Sequence, residues 1–162
     1  MQEDNYNEKL QNANKLLKTA EYLATTTYKL VKDPKILMNV LQKVYEAFDE
    51  SIAALLYRDR DVKLISHFHN SSQSRLNIFQ QKCIKRYGFD KKIISTINEL
   101  KELIEEHKNS PMEFARKKEF IICNDNFRFK KVNVGSAKEF IDKAKEFVYK
   151  LEKIIQLNKF KE

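Results

Sequence analysis

The chain has 162 residues, enough for one domain with a hydrophobic core that needs neither disulfide bonds nor a metal. Only two glycines and two prolines occur, which argues against the turn-rich sequence of an all-β protein and against a glycine-built phosphate-binding loop. Lysine and arginine outnumber aspartate and glutamate by 31 to 23, and this excess favours acidic partners. We therefore predict one helical domain that covers residues 1–162.

Five long helices are predicted by apolar residues that recur at intervals of three and four. They run from about Asn5 to Lys32, from Pro34 to about Arg60, from near Ser72 to Gly88, from Asp90 to His107, and from Ser136 to about Ile155. The sequence Asp33-Pro34 ends the first helix and begins the second, because proline is tolerated only in a first helical turn. The short connection predicts a helical hairpin.

The sequence between the fourth and fifth helices has a different pattern. Ser110-Pro111 is typical of a helix cap followed by a first helical residue, so it predicts a short turn of helix from Met112 to Arg116. Aromatic and basic residues then alternate at 127–130, which predicts a small β-hairpin at about 119–134 that must pack onto the helices. The predicted fold is all-α, an antiparallel bundle of about five long helices with a β-hairpin inserted before the last helix.

The cysteines and the first residues indicate a cytoplasmic protein. Cys83 and Cys123 are far apart in the chain and form no paired motif, as expected in a reducing compartment. No apolar run approaches the roughly 18 residues of a membrane span, and MQEDNYNEKL lacks the basic and apolar regions of a signal peptide. We expect no membrane contact.

Basic residues cluster in two stretches, and both are candidates for contact with nucleic acid. The first, at 75–92, contains six basic residues and one acidic residue, a net charge of +5. The second flanks the predicted hairpin and is diluted by three acidic residues. Such side chains can follow a phosphate backbone, and the lack of a helix-turn-helix pattern favours RNA over DNA. The candidate nucleic-acid-binding residues are Arg75, Lys82, Lys85, Arg86, Lys91, Lys92, Arg116, Lys117, Lys118, Arg128, Lys130 and Lys131. The alternative is that these side chains only keep amphipathic helices solvated.

The stretch RDRDVKLISHFHN, from Arg58 to Asn70, contains a possible catalytic pair. Six residues separate Arg60 from His67; an arginine can hold a phosphate while a histidine moves the proton of an attacking 2′-hydroxyl. On an unbroken helix the two residues would lie about 10.5 Å apart along the axis. The serines and asparagine of residues 66–74 predict instead a break, with His67 in a loop. The alternative is a charged, solvated helix end.

An arginine, a following polar residue and a histidine after a spacer of four to six residues resemble the motif of HEPN-family helical-bundle ribonucleases. The resemblance covers Arg60, Asp61 and His67. It implies a ribonuclease without metal in which Arg60 holds the phosphate, Asp61 orients and His67 is the acid or base. Because family members bring two motifs together in a dimer, it also implies a homodimer.

A second resemblance covers most of the chain. The phrases TTTYKLVKDPK, EEHKNSPMEFARKKEF and IICNDNFRF, and the order of the elements, are similar to all-helical proteins of small-genome archaea. This resemblance implies an archaeal source and the all-α fold but no activity.

No cofactor or metal is predicted, because the histidines and cysteines lack a standard zinc spacing. We favour a non-enzymatic binding protein, a homodimer with wide apolar helix faces, that contacts RNA or another acidic macromolecule. The alternatives are the HEPN-like ribonuclease and an adaptor that receives a helix of a protein partner in an apolar groove.

Overall fold

The computed structural model describes residues 5–109, 112–116, 119–123 and 129–159. Within these residues it contains five long helices, as predicted. Helix α1 consists of Tyr6–Tyr22, a π-helical turn Leu23–Thr27 and Tyr28–Val31; α2 is Lys35–Asp61; α3 consists of Ser72–Ile78, a π-helical turn Phe79–Cys83 and Ile84–Tyr87; α4 is Lys92–Asn109; and α5 is Val134–Lys159. None of these helices is long and apolar enough to cross a membrane.

The helix ends follow local side-chain chemistry. Ser71 caps α3 by accepting a hydrogen bond from the backbone N–H of Ser74 (3.2 Å), and Asp90 caps α4 by accepting one from Lys92 (2.9 Å). Gly88 ends α3 with a φ of +67°, a left-handed conformation that glycine adopts without steric cost. These are the positions where the sequence predicted helix ends.

A three-stranded antiparallel sheet lies between α4 and α5. Its strands, in spatial order, are β1 (Met112–Arg116), β2 (Glu119–Cys123) and β3 (Phe129–Asn133). The predicted hairpin is confirmed as β2 and β3, which pair Cys123 with Phe129 and Glu119 with Asn133. Residues 124–128, between these two strands, lie outside the described residues. Ile121, Ile122 and Val132 are buried, so this sheet packs onto the bundle.

The prediction of a short helix from Met112 to Arg116 is wrong. This segment is strand β1, and it pairs along its whole length with β2, from Met112 opposite Cys123 to Arg116 opposite Glu119. The sequence Ser110-Pro111 indicates only a local preference for the start of a helix. The backbone N–H and C=O groups of β1 that face β2 pair with that strand, and such pairing overrides weak helix signals.

Helix α2 is the centre of the molecule. It packs against α1, α4 and α5, and residues 51–59 are all buried. Helices α1 and α5 run antiparallel, because Asn14 and Glu21 of α1 hydrogen-bond Glu152 and Lys145 of α5. Helix α3 runs parallel to α2, because Arg75 contacts Asp49 and Tyr87 contacts Asp59. Because a helix that is covered on all sides also buries its polar residues, the end of α2 brings charge into the interior.

Candidate nucleic-acid interface

Five exposed basic side chains surround the connection between α3 and α4, and we call them the basic junction. They are Lys82, Lys85 and Arg86 near the end of α3, and Lys91 and Lys92 where α4 begins. Gly88 turns the chain sharply between the two groups. Lys91 and Lys92 lie at the positive end of the α4 dipole, where cations are unfavourable by about 0.3–1 kcal/mol each. Helix stability therefore does not explain their presence, whereas an anionic ligand would.

Arg75, the sixth basic residue of this stretch, lies elsewhere. Its guanidinium donates to both carboxylate oxygens of Asp49, through Nε (3.2 Å) and Nη2 (2.8 Å), and to Oδ1 of Asn70 through Nη1 (2.6 Å). This bidentate contact ties α3 to α2 and to the loop at residues 62–71. Arg75 is thus a structural residue. The net charge of the junction is +4, five basic residues minus Asp90.

The second predicted basic group is only partly described. Nζ of Lys130 lies 3.2 Å from carboxylate oxygens of both Glu102 and Glu106 of α4. Burial lowers the pKa of Lys130, but the hydrogen bonds to these two carboxylates raise it by more, so the lysine is engaged as a structural cation. Lys131 is exposed on β3. The side chain of Arg116, and residues Lys117, Lys118 and Arg128, lie outside the described part of the structure.

A buried carboxylate joins the basic junction to α2. Asp59 is fully buried, and its Oδ1 accepts hydrogen bonds from the Tyr87 hydroxyl (2.7 Å) and from Nη1 of Arg58 (3.2 Å). Nη1 of Arg86 lies 3.5 Å from Asp59 Oδ2. A carboxylate can stay charged in the interior only with such partners. Arg86 therefore has two roles, since it faces solvent and also compensates Asp59.

The environment of Asp59 raises the pKa of two neighbouring groups and so favours their neutral forms. Burial, and then the negative charge of Asp59, raise the pKa of the Cys83 thiol to about 12. Burial and the hydrogen bond to Asp59 likewise raise the pKa of Tyr87. Because a thiol attacks as its thiolate, this raised pKa disfavours a nucleophilic role for Cys83 at neutral pH.

The sequence analysis did not predict this cluster. It considered only a catalytic pair or a solvated helix end for the segment RDRD, and neither includes a buried carboxylate. The first Arg-Asp pair, Arg58 and Asp59, is in fact buried. The available signal was the preceding run SIAALLY, which is apolar on almost every side of the helix and indicates a helix covered by neighbours.

The end of α2 turns the chain back on itself. Lys63 adopts a φ of 61°, the backbone N–H of Leu64 donates to the carbonyl of Asp59 (2.8 Å), and that of Lys63 donates to Arg60 (3.0 Å). This pair of hydrogen bonds is a Schellman motif, which usually has glycine at the left-handed position. The motif ends the helix before His67, so His67 and His69 are exposed in an irregular loop, as predicted.

The loop packs on the last turns of α2 through aromatic contacts. The Arg60 guanidinium lies over the rings of Tyr57 (5.0 Å) and Phe68 (5.8 Å), and the Tyr57 hydroxyl donates to Asn70 (2.9 Å). Because Phe68 directly follows His67, the fold-back brings this part of the loop to Arg60 rather than two helical turns beyond it. Nε of Arg60 lies 3.8 Å from Oδ1 of Asp61, so the motif's arginine and polar residue form an ion pair.

The basic junction and the end of α2 are linked through one buried residue. Arg86 of the basic junction contacts Asp59, which directly precedes Arg60 in the chain. Among the described residues, no three His, Cys, Asp or Glu side chains are close enough to share a metal ion. A comparison with the known protein families and with characterised proteins finds no match to this chain.

Proposed function

We propose that this protein is a non-enzymatic binding protein that holds single-stranded RNA on the basic junction. The observation that carries the proposal is that Lys91 and Lys92 lie at the N-terminus of α4. The turn at Gly88 separates them from Lys82, Lys85 and Arg86 at the end of α3. Five exposed cations beside one acidic residue are favourable when phosphates lie among them.

Binding of this kind depends strongly on salt. Each phosphate that a cation neutralises releases counterions, and for single strands the slope of log K against log salt is about −0.7 per contact. With four or five contacts at the basic junction we expect a slope of about −3. A binding surface made of uncharged hydrogen bonds would give a much flatter dependence.

The test compares two double charge reversals. Lys82→Glu with Lys85→Glu removes half of the junction's lysines and leaves Arg86 in place to compensate Asp59. The control, Lys18→Glu with Lys35→Glu, changes the same charge at exposed positions of α1 and α2. Fluorescence anisotropy with a labelled single-stranded RNA should show a loss of about tenfold or more for the junction variant alone. Equal affinity of the two variants would exclude the junction as the binding surface.

A metal-independent ribonuclease is the second candidate function. In this proposal Arg60 holds the phosphate, Asp61 orients Arg60 and His67 moves the proton. The observation that favours it is the packing of Phe68 over Arg60, which draws the exposed His67 segment toward the arginine. Arg86 of the basic junction contacts Asp59, the residue before Arg60 in the chain.

Cleavage in the presence of a chelator separates the two candidates. Wild type, His67→Ala and the control His69→Ala are incubated with mixed RNA under identical conditions. The ribonuclease proposal expects cleavage by wild type and by His69→Ala, and a loss of about 100-fold or more for His67→Ala. Equal cleavage by wild type and His67→Ala would assign the activity to a contaminant and leave the binding function.

A further inference from the structure

An open cavity of about 320 Å³ lies beside the basic junction, between the start of α4 and the middle of α5. Its size is at the lower end of the range of small-molecule sites, which runs from about 300 to 1,000 Å³. Phe89, Ile93 and Phe147 form an apolar wall. The lining also includes Thr96, three lysines (Lys92, Lys143 and Lys150) and two acidic residues (Asp90 and Glu146). We call it the α4–α5 cavity.

Lys143 and Lys150 of this cavity contact aromatic rings and a carbonyl group rather than carboxylates. Nζ of Lys150 donates to the carbonyl of Gly88 and lies 4.9 Å from the centre of the Phe89 ring, and neither partner is an anion. Nζ of Lys143 lies 5.9 Å from the Phe140 ring. Among the described residues, none of the cavity's three ammonium groups forms a salt bridge. The contacts of Lys150 place its ammonium group beside the Phe89 ring at the cavity.

The two acidic residues have different roles. One oxygen of Asp90 accepts the backbone N–H of Lys92 and caps α4. Glu146 is exposed at the rim of the cavity. Its carboxylate can accept hydrogen bonds from hydroxyl or amino groups of a ligand. The lining therefore has a net charge of +1, three lysines minus two carboxylates, and it offers an apolar surface, cationic groups and one exposed acceptor.

From this combination we propose that the α4–α5 cavity binds a nucleoside monophosphate unit. The unit is either a free nucleotide or one nucleotide of an RNA strand on the basic junction, and in the second case the proposal rests on the proposed function. The base lies against Phe89, Ile93 and Phe147, and the phosphate lies among the lysines, which bind phosphates as point charges. Glu146 accepts a hydrogen bond from a ribose hydroxyl or a base amino group. A sugar phosphate would leave the apolar wall uncovered, and a fatty acid would offer Glu146 no hydrogen-bond donor.

Titrations followed by ¹⁵N NMR test the site directly. The probes are AMP, UMP, adenosine and inorganic phosphate. The nucleotides should shift the amide signals of Phe89, Ile93, Thr96 and Phe147, whereas phosphate alone should leave the apolar wall unaffected. The proposal would be overturned if no nucleotide shifted the amide signals of the apolar wall, or if inorganic phosphate shifted them as much as the nucleotides did.

Charge variants on α5 supply the second criterion. Lys143→Glu should weaken nucleotide binding about five- to tenfold. Lys153→Glu, an exposed lysine of the same helix that packs on Tyr149 outside the cavity, should change it less than twofold. Glu146→Gln should weaken binding of adenosine, because an amide oxygen is a weaker acceptor than a carboxylate, and should not weaken binding of phosphate. Equal nucleotide affinity of the two lysine variants would overturn the site.

The two possible sources of the nucleotide, and the two proposals, separate in one further comparison. If the nucleotide belongs to a bound RNA strand, Lys143→Glu also lowers the affinity for the labelled RNA, and excess AMP competes with that RNA. If the nucleotide is a free ligand, neither Lys143→Glu nor AMP changes the affinity for the RNA. If the protein bound RNA but not nucleotides, the proposal for the cavity would be wrong and the proposal for the basic junction would stand. Nucleotide binding without RNA binding would do the reverse.

Discussion

The hydroxyl of Tyr87, the last residue of α3, donates a 2.7 Å hydrogen bond to the buried carboxylate of Asp59 near the end of α2. This contact fastens the basic junction to the central helix. Tyr87→Phe removes the donor and leaves the carboxylate with two arginine partners. We expect a loss of about 1–3 kcal/mol in the free energy of unfolding, measured by urea denaturation. Tyr149→Phe, on an exposed tyrosine, should cost less than about 0.5 kcal/mol, and similar losses in the two variants would contradict a special role of the Asp59 contact.

The raised pKa of Cys83 predicts a stability that declines at alkaline pH. Its folded pKa of about 12 lies above the ordinary value of 9.0, so the neutral thiol is favoured in the folded state. This contribution is complete below pH 9 and is lost as the pH rises toward 12, because the unfolded chain gains the thiolate first. Cys83→Ala should therefore be less stable than wild type at pH 7, and the difference should shrink by about 1–2 kcal/mol at pH 10.5. A difference that stays constant between these pH values would contradict the prediction.

The left-handed backbone at Lys63 predicts a stabilising substitution. A side chain at a φ of 61° costs roughly 1 kcal/mol, which glycine avoids at the expense of greater freedom in the unfolded chain. Lys63→Gly should raise the free energy of unfolding by about 0.5 kcal/mol. Leu64→Gly, one residue later, has no such strain to relieve and should lower it. Thermal unfolding of both variants gives the comparison, and a destabilised Lys63→Gly would argue against the Schellman turn.

The bidentate contact between Arg75 and Asp49 predicts the order of the loop at residues 62–71. Arg75→Ala removes both the salt bridge and the hydrogen bond to Asn70, so the loop loses its attachment to α3. Hydrogen exchange of amides in the loop should accelerate more than tenfold, with global stability reduced by about 2 kcal/mol. Lys82→Ala, also on α3 but exposed, is the control and should leave exchange in the loop unchanged.

A homodimer is the predicted oligomeric state. Helices α1 and α5 pack against each other, and Tyr22 of α1 and Tyr149 of α5 are 61% and 62% exposed, so each helix offers apolar surface to a second copy. Light scattering at tens of micromolar should give twice the 19.3 kDa mass of one chain. Tyr22→Lys with Tyr149→Lys should shift the mass toward the monomer. A monomeric wild type would remove the dimer from both proposed functions.

The sequence by itself determined the helices, because their signals are local. Apolar residues at intervals of three and four, the Asp33-Pro34 junction, the cap at Asp90 and the left-handed Gly88 each act within a few residues of chain. The same is true of the break that places His67 in a loop, and of the period of two that indicated β2 and β3.

Only the tertiary structure decided which polar groups are buried and which face solvent. Asp59 and Arg75 look like ordinary surface charges in the sequence, yet one is enclosed by Tyr87 and Arg86 and the other is held by Asp49. Strand β1 likewise depends on a partner strand rather than on its own residues. The reason is that the burial of these charges depends on partners more than twenty residues away in the chain, and the strand depends on its pairing with β2. Neither kind of contact leaves a periodic signal within one segment of the sequence.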